Sequence, residues 1–147
     1  MTGYQTIIAA VDLTESAGHV LEQAAELATR YGAALHLVHV VEYLPPIVVG
    51  DEPVPAINMG IDETEMAERA AVRLREITDK MKLSSCERHI DIGTPKIEII
   101  ELAENVGADL IVIGSHGRHG ISRLLGSTAN AVLHHAPCDV LAVRLKS

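Results

Sequence analysis

The sequence predicts an α/β domain built on an open, doubly wound, parallel five-stranded sheet of order 3-2-1-4-5, with helices on both faces. Three observations lead there. Short aliphatic runs without polar alternation, such as TIIAAV at 6–11 and LIVIG at 110–114, are of the kind buried on both faces of a parallel sheet. Between these runs, apolar residues recur every three or four positions, as on helices with one buried face. Glycines also stand where a helix should stop, at Gly32 and Gly107. The order β-α-β-α-β-α-β-α-β follows, in a single domain over residues 1–147.

Gln5–Asp12 forms the first strand. Thr14 or Ser16 then caps a helix carrying Val20, Leu21, Ala24, Ala25, Leu27 and Ala28 on its apolar side, up to Gly32. Ala34–Val41 is the second strand. From Glu42 to about Gly60, Pro45, Pro46, Pro53 and Pro55 with Gly50 and Gly60 argue against regular structure. A loop of that length is the natural place for partner specificity. Ile61–Lys82 reads as a helix with a stripe of Met66, Ala70, Leu74, Ile77 and Met81. Cys86–Ile92, with Arg88 and Asp91, is a weaker strand that belongs at an edge. Thr94 caps the next helix, Pro95 sits at its first position, and Gly107 ends it. Asp109–Gly114 is the fourth strand and Ser127–His135 the last helix. Pro137 breaks that helix, and Cys138–Leu145 closes the sheet.

Composition narrows the function. The 147 residues carry a formal charge of -8, with no Trp, no Phe and three Tyr. An acidic chain without aromatic platforms has neither the charge nor the stacking surface of a nucleic-acid binder. No apolar run approaches the ~20 residues needed to cross a bilayer, so no membrane insertion is expected. Met1–Ser16 lacks a secretory signal, and Cys86 and Cys138 are too few for a disulfide scaffold; a reducing, cytoplasmic location is expected. The charge is unevenly spread. Residues 115–147 set Arg118, Arg123, Arg144 and Lys146 against Asp139, a balance of +3 that leaves -11 on the first 114 residues. A bound anion belongs near that basic segment, although a solvated basic face has the same signature.

In this sheet order, ligands bind at the carboxyl ends of the first and fourth strands, where the strand order reverses. Asp12 ends one strand. Gly114 opens a loop with Gly117, Gly120 and Gly126, which runs into the helix at Ser127. Backbone N–H groups can approach a phosphate closely in such a loop, and the helix start adds free donors and a positive dipole end. Tight turns also need glycine, so the loop alone is ambiguous. Two nucleotide signatures are absent: the Gly-x4-Gly-Lys-[Ser/Thr] phosphate loop with its lysine, and a Gly-x-Gly-x-x-Gly after the first strand.

The loop and its surroundings resemble the universal stress proteins, whose nucleotide-binding members carry Gly-x2-Gly-x9-Gly-[Ser/Thr] after the fourth strand. Gly114-Ser115-His116-Gly117 opens the match and Gly126-Ser127-Thr128 closes it. Further matches run the length of the chain: VDLT at 11–14, HVVE at 39–42, GTP at 93–95, ADLIVIGSHGR at 108–118 and HAPCDVLAVR at 135–144. One spacing departs: Arg118–Leu125 is eight residues where the family pattern has nine.

The resemblance implies a Rossmann-like fold of the adenine nucleotide alpha hydrolase-like kind and a site for ATP, or for AMP or ADP. Ala10, Val11, Asp12 and Val40 would border adenine and ribose, and Ile113 would pack on the base. Gly114, Gly117, Gly126, Ser127 and Thr128 would hold ribose and phosphates, with Ser115, His116 and Arg118 as further contacts. Mg2+ or Mn2+ would be carried by the phosphates, with no metal held by side chains. The resemblance also implies a homodimer. Its surface would be the last strand, Asp139, Val140, Leu141, Ala142, Val143, Arg144 and Leu145, an apolar edge that needs a partner.

The function expected is that of an ATP-binding, dimeric stress-response regulator or switch with an unidentified regulatory protein partner, and no catalytic residue is assigned. Slow ATP hydrolysis or autophosphorylation stays open, as does a dimeric interaction module that binds no nucleotide. Asp12 can equally cap the first helix. His134 and His135 complement a helix C-terminus, His36 and His39 are sheet residues on opposite faces, and Cys138 is a structural thiol.

Overall fold

The computed structural model describes residues 3–42, 47–54, 63–83, 85–115 and 125–145. Strand β1, Thr6–Ala10, forms because its five residues are aliphatic or β-branched and both of its faces are covered; Ile7, Ile8 and Ala9 are fully buried. Helix α1 spans Ala17–Tyr31. Its Ala17, Val20, Leu21, Ala24 and Ala28 turn inward at helical spacing, and Gly32 ends it at φ 64, in the left-handed region that glycine enters without cost. Strand β2, Ala34–Glu42, runs parallel to β1 with Thr6 opposite Ala34 and Ala10 opposite Val38.

Within the segment at 42–60, where Pro45, Pro46, Pro55 and Gly60 lie outside the described residues, residues 47–54 are regular in spite of Pro53. Strands β3, Ile47–Val49, and β4, Glu52–Val54, form an antiparallel hairpin around Gly50 and Asp51, with Gly50 at φ +67. A Gly-Asp pair between two short runs is a hairpin signal. Pro53 fits because it stands opposite Val48, one step from the closing Val49–Glu52 pair, where the ladder asks for no N–H.

Helix α2, Glu63–Lys80, is followed by Lys82 at φ 60, which takes the left-handed position usually given to glycine. Leu74 is fully buried on its inner face, and so is Thr78. The Thr78 hydroxyl donates to the Arg75 carbonyl at 3.0 Å and accepts from Arg88 at 3.2 Å. Strand β5, Glu87–Gly93, lies at the sheet edge and pairs with β2. Helix α3, Pro95–Val106, has Thr94 at its N-cap and Gly107 at its left-handed C-cap. Strand β6, Leu110–Gly114, pairs with β1; helix α4, Ser127–His135, leads to strand β7, Asp139–Val143, at the other edge.

The main sheet is parallel with order β5-β2-β1-β6-β7, which is the expected 3-2-1-4-5 when its five strands are counted alone. Two cores cover its faces. Side chains of α1 and α2 meet Ile7, Ala9, Leu37, Leu110 and Val112 on one side. Those of α3 and α4 meet Ile8, Ala10, Val38, Ile111 and Ile113 on the other. Among the described residues, no helix is long and apolar enough to cross a membrane.

Three strands are shorter than the sequence suggests, β1 keeping only Thr6–Ala10 of the expected Gln5–Asp12. β7 stops at Val143 because β6 is five residues long, and its register, Leu110 opposite Asp139 to Gly114 opposite Val143, leaves Cys138, Arg144 and Leu145 without a ladder partner. Asp109 stays out of β6 because its carboxylate has another task. It accepts the Gln5 N–H at 2.9 Å and the Thr6 N–H at 3.0 Å, while its own N–H donates to the Thr6 carbonyl. That clamp fixes the start of β1 against β6. Asp109→Ala should lower folding stability by about 1.5–3 kcal/mol, the range for hydrogen bonds to charged groups, as read from urea denaturation midpoints.

Candidate functional site

β1 and β6 run side by side with Ala10 opposite Ile113, then part company. β1 leads into α1 on one face of the sheet, and β6 leads towards α4 on the other. Their carboxyl ends therefore border the crevice that a doubly wound sheet opens at its switch point.

The β1 side of that crevice is a built turn. Asp12 Oδ1 accepts from the Thr14 N–H at 3.0 Å and from the Thr14 hydroxyl at 2.6 Å. Thr14 spends its proton on Asp12, so the 2.7 Å contact with Ser16 requires the Ser16 hydroxyl to be the donor. Leu13, inside this turn, has φ 63, an uncommon conformation for a residue with a Cβ. Asp12 thus organises the entry to α1. Among the described residues, no hydrogen bond reaches its second carboxylate oxygen. His39 holds the turn from below: its Nδ1 is 2.8 Å from the Val11 carbonyl, which can only accept, so this ring nitrogen carries the proton.

The β6 side is tied to both the returning chain and the neighbouring strand. The Ser115 N–H donates to the Val143 carbonyl at 2.8 Å, and its hydroxyl accepts from the Leu145 N–H at 3.2 Å. The Gly126 N–H donates to the Ser115 carbonyl, so the glycine loop is closed at its base. Gly126 is the N-cap of α4, with extended backbone and no side chain to bond the first free N–H groups of the helix. Ser127 and Thr128 follow on its first turn.

Ten of the thirteen residues anticipated for the nucleotide are among the described residues. Ala10, Val11, Val40 and Ile113 are buried, at 6%, 8%, 8% and 6% exposure. Asp12, Gly114, Ser115, Gly126 and Thr128 are half-buried, and Ser127 is exposed. The structure brings Ala10 beside Ile113 and Ser115 beside Gly126. His116, Gly117 and Arg118 lie outside the described residues. Thr14 and His39, expected as a helix cap and a sheet residue, and Leu13 are additions to the site. The Asp-x-Thr spacing is a recognisable turn signal that could have tied Thr14 to Asp12; nothing local marks the bond from His39.

The polar groups of this crevice suit an anion or a sugar. A ring beside Ala10, Val11, Val40 and Ile113 would meet aliphatic surface. Thiol chemistry is a poor match. Burial pushes both the Cys86 and Cys138 thiols up, with Asp139 adding to the effect at Cys138, so less of the reactive thiolate is present at neutral pH.

Known proteins give a consistent picture. A sequence model described as the universal stress protein family matches residues 3–144. Universal stress protein A homolog 1 of Coxiella burnetii is 44% identical over 143 residues, covering 97% of this chain and 98% of the relative. A universal stress protein crystallised in complex with cAMP superposes with TM-score 0.67 at 28% identity, covering 97% of this chain and 98% of that one. The universal stress protein of Archaeoglobus fulgidus in complex with dAMP superposes with TM-score 0.62 at 25% identity, covering 96% and 98%.

Gly114 needs no left-handed backbone, yet a side chain there is costly. A Cβ would stand 2.7 Å from Leu145 Cδ1 and 3.5 Å from Val20 Cγ2. Gly114→Ala should cost about 1–3 kcal/mol through overpacking. Leu145→Val in the same chain should recover part of that loss, which a double-mutant cycle in urea would register as a non-additive pair.

Proposed function

The chain belongs to the universal stress protein family, and from that premise we propose that it binds an adenine nucleotide at the β1–β6 crevice and acts as a dimeric, nucleotide-dependent regulator. The observation that carries this reading is the join between Ser115 and Gly126, which sets the glycine-started α4 at the carboxyl end of β6. Relatives of the same fold hold cAMP and dAMP, which share an adenine base, a pentose and one phosphate.

In this reading Ala10, Val11, Val40 and Ile113 receive the adenine ring, and Asp12 receives a ribose hydroxyl on its second oxygen. Gly114, Ser115, His116, Gly117, Arg118, Gly126, Ser127 and Thr128 serve the ribose and phosphates. The α4 N–H groups fit an anion because Gly126, their N-cap, has no side chain to bond them. ATP is the nucleotide proposed, with Mg2+ or Mn2+ held by its phosphates and neutralising their charge. A regulator suits the missing phosphate-loop lysine and the lack of an evident general base beside the phosphates in the sequence.

A second reading has its own support. Gly114 leaves room for Leu145, and the Ser115 hydroxyl is engaged by the Leu145 N–H, so both residues have structural work without a ligand. An interaction module that binds no nucleotide would keep them too.

Calorimetry with ATP and Mg2+ separates the two. Binding is expected, and a Gly117→Val, Gly126→Val double variant should weaken it by at least about tenfold, or roughly 1.4 kcal/mol. No heat at millimolar ATP would favour the interaction module.

Dimerisation through β7 is the second half of the proposal. Among the described strands β7 pairs with β6 alone, which leaves one edge of its ladder open, with Leu141 exposed. Val143 and Leu145 are buried within the chain, so the backbone of Asp139–Val143 would make the pairing across a two-fold axis. Sedimentation should give a dimer at micromolar concentration, tightened by ATP; a monomer under both conditions would sink this half.

A further inference from the structure

A second cluster of chemically capable side chains lies across the sheet from the crevice, on the β2–β5 pair. His36 stands opposite Glu87 in the parallel register, and Glu87 and His89 lie two residues apart on β5, so all three project from one face. His36 Nδ1 is 3.1 Å from His89 Nε2 and 3.2 Å from Glu87 Oε2, and the remaining separation, His89 Nε2 to Glu87 Oε2, is 3.8 Å. Two imidazole nitrogens and a carboxylate oxygen thus converge on one point.

That convergence has a metric meaning. Ligand atoms bound tetrahedrally to zinc at about 2.0–2.1 Å are about 3.3 Å from one another. The three observed separations bracket that edge. The stacked rings, 5.3 Å between centroids and 25° apart in plane, present their nitrogens side by side. Without a cation, either a proton on His36 Nδ1 faces His89 Nε2 and Glu87 Oε2, or one on His89 Nε2 faces His36 Nδ1. A divalent cation would take a lone pair from each of the three.

We propose that His36, Glu87 and His89 form a three-ligand site for Zn2+ or a similar borderline divalent ion, with water at the fourth position. The site is built by the backbone ladder, which sets His36 against Glu87, and so needs little reorganisation on binding. His36 and His89 are 12% and 27% exposed, against 70% for Glu87, so the ion enters from solvent on the carboxylate side. Imidazole ligands select against Mg2+, which prefers oxygen donors. The ion would fasten edge strand β5 to β2, well apart from the nucleotide crevice, and the proposal does not depend on nucleotide binding.

Metal-stripped protein titrated with Zn2+ in a calorimeter should bind one equivalent per chain at this site, and Co2+ should give the visible absorption of a tetrahedral centre. Glu87→Gln should weaken Zn2+ binding at least tenfold, and His89→Ala should abolish the Co2+ spectrum. A His134→Ala, His135→Ala variant should bind as the parent does. Glu87 is exposed, so its variant reports on the site with the fold intact, as circular dichroism would verify. Absence of Zn2+ binding to the parent at micromolar metal, or equal binding by parent and both β5 variants, would overturn the proposal.

Discussion

β1 is buried from Ile7 to Ala10, with only Thr6 at its start partly open to water. Ile7, Ile8 and Ala9 are fully buried between two cores, and strands flank β1 on both sides. A strand in that position must be apolar on both faces and must have every backbone group paired within the sheet. It can carry polar chemistry only after it ends. Asp12 is where that freedom begins, and the turn it forms with Thr14 and Ser16 converts the end of the strand into the start of α1. The same constraint acts on β6, whose buried Leu110–Ile113 gives way to Gly114 and Ser115. Both polar ends of the crevice are consequences of one centrally placed, fully covered strand pair.

Ser115 links that crevice to the sheet edge. Its N–H and hydroxyl engage Val143 and Leu145 at the end of β7, while its carbonyl receives Gly126 at the start of α4. A ligand that rests on α4 and a partner that pairs with β7 would therefore act on neighbouring bonds of one residue. Coupling between two such sites is reciprocal: whatever the dimer gains from the nucleotide, the nucleotide gains from the dimer. Such coupling would give the proposed regulator a physical means of reporting its ligand without chemical turnover.

Much of this was legible in the sequence because each signal had a single physical source. Unbroken aliphatic runs give buried parallel strands, and Gly32 and Gly107 at left-handed C-caps end helices where they were expected to. The hairpin at β3–β4 was missed because proline was read as a veto. Its effect depends on the ladder position, and at Pro53 no N–H is demanded. Thr78 was missed for a different reason: a buried hydroxyl looks like any other helix residue until Arg88 is brought to it from another strand. The candidate site divides in the same way. Asp12 and the glycine loop stand out locally, whereas His39 matters through a contact with Val11, 28 positions away in the chain.

His36, Glu87 and His89 show the limit most plainly. Glu87 and His89 are neighbours on one strand, and the third member is 53 positions from His89. Only the β2–β5 register, one residue shift of which would turn His36 to the opposite face, makes them a cluster. An edge strand such as β5 can tolerate these polar side chains on its pleat because its outer surface is not sealed by a further strand. β1 could not. The burial that makes the centre of the sheet a scaffold for an aliphatic-lined crevice thus also confines metal-binding chemistry to its margin, and the two kinds of site are held apart by the same gradient of solvent access across one sheet.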